Sequence, residues 1–78
     1  MSDQARIHNE NAGRIVREMW SLTGDVPHLN VLAESLLLGV AMLNFPADPR
    51  RQALIIQEIA DGAADRAKAV TPDRESGR

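Results

Sequence analysis

Two histidines, an adjacent pair of arginines and a few carboxylates are the side chains in this chain whose chemistry could be put to use. A metal site needs several ligands converging. His8, with Asn9 and Glu10 beside it, shares no helical face with a second cluster. His28 falls in the first turn of an expected helix, where the helix dipole disfavours a positive charge, and both histidines read as surface residues. Arg50 and Arg51 open another expected helix, again at the end where cations are unfavourable. They are therefore candidate anion or partner contacts, compensated by a bound anion or a partner's glutamate; in the simpler reading they are solvated and neutralised by Asp48 and by Glu58 or Asp25. Without a glycine-rich loop, the case for phosphate is weak.

Glu34 lies inside the most apolar segment, where a buried carboxylate would serve as a general acid or base. Its expected place is the rim, paired with Arg14 or Arg17. Asp61 and Asp65 share a helical face with Lys68 nearby, which describes a solvated surface. Catalysis needs a second positioned group, and neither a Ser/His/Asp arrangement nor a paired-carboxylate spacing occurs. No catalytic residue, metal ligand or cofactor-binding residue is assigned, no cofactor is expected, and the chain is read as non-enzymatic. Trp20, the single tryptophan, is expected to anchor a core or an interface.

The elements that must carry these residues are helices. Apolar residues recur at three- and four-residue steps, aromatic residues make up 3% of the chain, and no strand-like alternation appears. A first helix is surest over Asn11 to Leu22, with Ala12, Ile15, Val16, Met19, Trp20 and Leu22 on one side; its start is open, as early as Ser2 or Asp3. Gly24 closes it and Asp25 caps a second helix from Val26 to Asn44. Phe45-Pro46-Ala47-Asp48-Pro49 forms a tight connection, and a third helix runs from Pro49 to about Ala69, with Ile56, Ile59, Ala60, Ala63, Ala67 and Val70 on one side. Residues 71 to 78 are expected to be a disordered tail following a single helical domain of residues 1 to 70. The fold class is all-α, a hairpin of the second and third helices with the first packed across it.

The second helix decides the argument. Leu29, Leu32, Leu36, Val40 and Leu43 gather on one face, and Val31, Leu38, Met42 and Phe45 on the opposite one, with Asn30 and Glu34 on one flank between them. A chain of 78 residues with no cysteine has few ways to cover both faces alone, and oligomerisation is the remaining one. Burying four large side chains is worth roughly 6–12 kcal/mol, of the same order as the association cost of ~4–15 kcal/mol. A homo-oligomer, most simply a dimer with Val31, Leu38, Met42 and Phe45 as its interface, is expected. The alternative is a monomer in which the first helix covers one face and the third the other.

Function follows by exclusion. A net charge of −2 and a second helix without Lys or Arg argue against nucleic-acid binding. The polar start has no signal-like apolar run, and the 17-residue stretch Leu29–Phe45 is shorter than the ~20 residues a spanning helix needs. A soluble, cytoplasmic protein is expected, with no membrane partner. Its expected role is as a regulatory or adaptor module that binds another protein. The alternatives are a small-molecule or anion-binding bundle, or an accessory protein for nucleic acid.

Overall fold

The computed structural model describes residues 2–70. The expected tail and the side chain of Val70 lie outside the described residues. The architecture is all-helical: α1 spans Asp3–Thr23, α2 Val26–Asn44 and α3 Pro49–Val70, with no strand among the described residues.

Each boundary has a local cause. Ser2 is extended and its Oγ accepts the Ala5 N–H at 3.2 Å, so α1 starts at the earlier of the expected positions. The weak helix formers Asn9, Asn11 and Gly13 are carried inside the helix. Gly24 ends α1 with φ 77°, and its N–H reaches the Trp20 carbonyl at 2.9 Å. Asp25 begins α2: its Oδ1 accepts the His28 N–H at 2.9 Å, while its carbonyl accepts the Leu29 N–H at 3.0 Å. Asp48 repeats the device for α3, with Oδ1 accepting from Arg51 N–H at 3.2 Å and its carbonyl accepting from Gln52 N–H at 3.0 Å. The Gln52 side chain also ties back across the connection, donating from Nε2 to the Phe45 carbonyl at 2.6 Å.

The chain divides into two compact units, Met1–Leu36 and Leu37–Arg78, with the boundary inside α2. In the first unit α1 packs against the N-terminal part of α2. Met19, Leu29 and Leu32 are half-buried there, while Ile15, Val16, Trp20 and Leu22 stay exposed. In the second unit the C-terminal part of α2 and α3 form the more extensive helix–helix contact. Ala41 is its fully buried residue, and Leu37, Phe45, Gln52, Ile55 and Ile56 are half-buried around it. Ile59 and the alanines at 60, 63 and 67 of α3 remain exposed, so the expected alanine face is not covered.

The stripe α2 turns toward α3 differs from the expected one. At about 100° per residue, Leu37, Ala41 and Phe45 continue the Asn30–Glu34 flank, which the sequence pattern marks as a polar separator. A small residue in the middle of that flank, Ala41, is fully buried, and a small side chain at a helix contact permits a close approach. The contact therefore forms between the two bulky faces, taking in Phe45 at the edge of one and leaving Leu38, Val40, Met42 and Leu43 exposed.

Candidate interaction surfaces on the second and third helices

Three of the four residues assigned to an interface are open to solvent. Val31 is 59% exposed, Leu38 46% and Met42 48%, and they lie along one side of α2 at seven- and four-residue steps. Ser35 sits in the same row. Its hydroxyl donates to the Val31 carbonyl one turn back at 3.2 Å, so the polar residue of the row has its donor satisfied within the helix. Asn44 does likewise, with Nδ2 donating to the Val40 carbonyl at 2.9 Å. Ser35 can therefore be covered without stranding its hydroxyl donor. The opposite face is only partly covered, by half-burial of Leu29 and Leu32; Leu36 and Val40 are exposed and Leu43 is 85% exposed.

The fourth residue, Phe45, has a different setting. It is half-buried beside the start of α3, and the Arg51 guanidinium lies over its ring with the carbon 5.8 Å from the centroid. Phe45, Arg51, Leu54, Ile55 and Glu58 line an open hollow of about 300 Å³. A space between the second and third helices at Gly39, with Arg50 or Glu34 turned inward, is the feature a ligand-binding bundle would show. Instead, a Cβ built at Gly39 meets only open space, and both charged residues are exposed.

The charged candidates separate in the same way. Arg51 is compensated locally, its Nε 3.4 Å from Asp48 Oδ2 while its N–H is held by Asp48 Oδ1. Asp48 thus takes the Nε edge of the guanidinium and one backbone donor at the start of α3. Arg50 is exposed and makes no ion pair among the described residues. Glu34 is likewise exposed and does not form the expected pair with Arg14 or Arg17. His28 finds its compensation in Asp25, with Nδ1 at 2.8 and 2.9 Å from the two carboxylate oxygens. The His28 backbone N–H, and next its ring, hold the Asp25 carboxyl below the usual aspartate value. His8 is exposed, and no group of three or more His, Cys, Asp or Glu converges among the described residues.

One expectation needs correction. The apolar run is part of a 19-residue helix, so length does not exclude a membrane span; by length and composition α2 qualifies as a candidate. Polar residues inside it, chiefly Glu34, and the charged helices packed on each half are what weigh against that placement.

Compared with protein-family models, curated proteins and solved structures, the chain matches none.

Proposed function

We propose that the chain is a non-enzymatic protein-interaction module, regulatory or adaptor in role, that works in the cytoplasm as a self-associated assembly, most simply a homodimer. The observation that carries this reading is the exposed row Val31–Leu38–Met42 on α2, in which the Ser35 hydroxyl is already bonded to the Val31 carbonyl. Apolar surface of this kind, continuous along a helix and rimmed by polar residues, is what protein partners cover. A second copy is the simplest cover, since it is present whenever the chain is. Insertion of α2 into a bilayer would bring along Arg14 and Arg17 in one unit and Arg51 and Glu58 in the other, which favours a soluble assembly.

Replacing Leu38 or Met42 with glutamate places a charge in the row. Light scattering of Leu38→Glu and Met42→Glu should show a lower assembly order or loss of folding. A Leu38→Glu particle of unchanged mass and unchanged thermal stability would remove the row from the interface.

A further inference from the structure

We infer that α3 carries a self-pairing surface of its own, in which two copies of the chain align α3 against α3 antiparallel about a two-fold axis between Leu54 and Ile55. The inference stands on the charges around the hollow and goes beyond the α2 row, which lies on another helix. Arg51 and Glu58 are seven residues apart, two helical turns, so they flank Leu54 and Ile55 on one side of α3 about 10 Å apart. An antiparallel two-fold centred between 54 and 55 pairs each residue with the one whose number completes 109. Arg51 then meets Glu58 of the second copy, Glu58 meets its Arg51, and Leu54 and Ile55 meet each other's counterparts. Parallel alignment would instead oppose arginine to arginine and glutamate to glutamate, so the charges also select direction.

The groups are poised for this. Leu54 is 56% exposed between the two charges among the described residues. Glu58 has no ion-pair partner among the described residues. Arg51 is positioned over Phe45 and held through Nε by Asp48, while the planar guanidinium keeps further donors for a second carboxylate. The hollow of about 300 Å³ has room for a leucine side chain from the facing helix.

The test is a complementation of full-length variants. Arg51→Glu and Glu58→Arg each create two like-charge contacts in a homodimer and should weaken pairing through α3 by about tenfold or more. Mixed together, the two variants restore opposite charges at both contacts. Sedimentation of the mixture, with one variant fluorescently labelled, should show the heteromeric pair forming in preference to either homomeric pair, more so at low salt. Preferential mixing cannot arise from damage to a single chain, so it separates pairing from misfolding. Absence of any preference between the variants, or association equal to the unmodified chain in each alone, overturns the inference and gives the hollow to another occupant. Neither result touches the α2 row, which is read from Leu38→Glu.

Discussion

Asp25 shows how much a single side chain does here. It caps α2 through the His28 N–H and holds the His28 ring with both oxygens, and the same contacts hold its own carboxyl below the usual aspartate value. A carboxyl lowered by folding contributes stability above its unfolded value, and that contribution is lost as pH falls through the lower folded value. The start of α2 should therefore be fully capped above about pH 5 and loosen progressively below about pH 4. Asn also caps helices but does not titrate, so Asp25→Asn should flatten this acid-side loss of helix signal, read by circular dichroism against pH. Glycines give a paired expectation. Gly24 sits at φ 77°, where a Cβ is strained, and Gly24→Ala should cost about 1 kcal/mol. Gly39 is inside a helix and faces open space, so Gly39→Ala should add roughly 0.5–1 kcal/mol in chemical denaturation.

At the scale of elements, caps and connections decide the helix ends. Asp48→Ala removes the acceptor for Arg51 N–H and the guanidinium contact together; it should destabilise the fold by about 1 kcal/mol and fray the first turn of α3, measurable by amide exchange at Arg51 and Gln52. These ends were readable in the sequence because capping is local: Gly24, Asp25, Asp48 and Pro49 act on residues within four positions. The bounds of α2 match the expected Val26–Asn44 for that reason. Which side of α2 meets α3 was not readable from periodicity. Hydrophobic periodicity weights large side chains, and the fully buried residue of the contact is a small one, Ala41. The local pairing of Arg51 with Asp48 was legible from spacing, whereas the hollow beside Phe45 depends on how the connection folds back through Gln52.

At the scale of the whole molecule, the described residues include a single fully buried side chain and a long series of exposed large apolar ones. Individually exposed leucines are ordinary, but here Val31, Leu38 and Met42 form one row along α2, with the Ser35 hydroxyl in that row bonded to the backbone. Under the proposed self-association, this apolar surface is what a second chain would cover. Folding should then be coupled to association, and the melting temperature should rise with protein concentration, followed by calorimetry over a hundredfold range. The most direct measurement is sedimentation equilibrium of the full chain, with circular dichroism on the same sample. The account predicts a helical particle of at least twice the 8.5 kDa chain mass. A well-folded particle sedimenting as one 8.5 kDa chain at every concentration would contradict it.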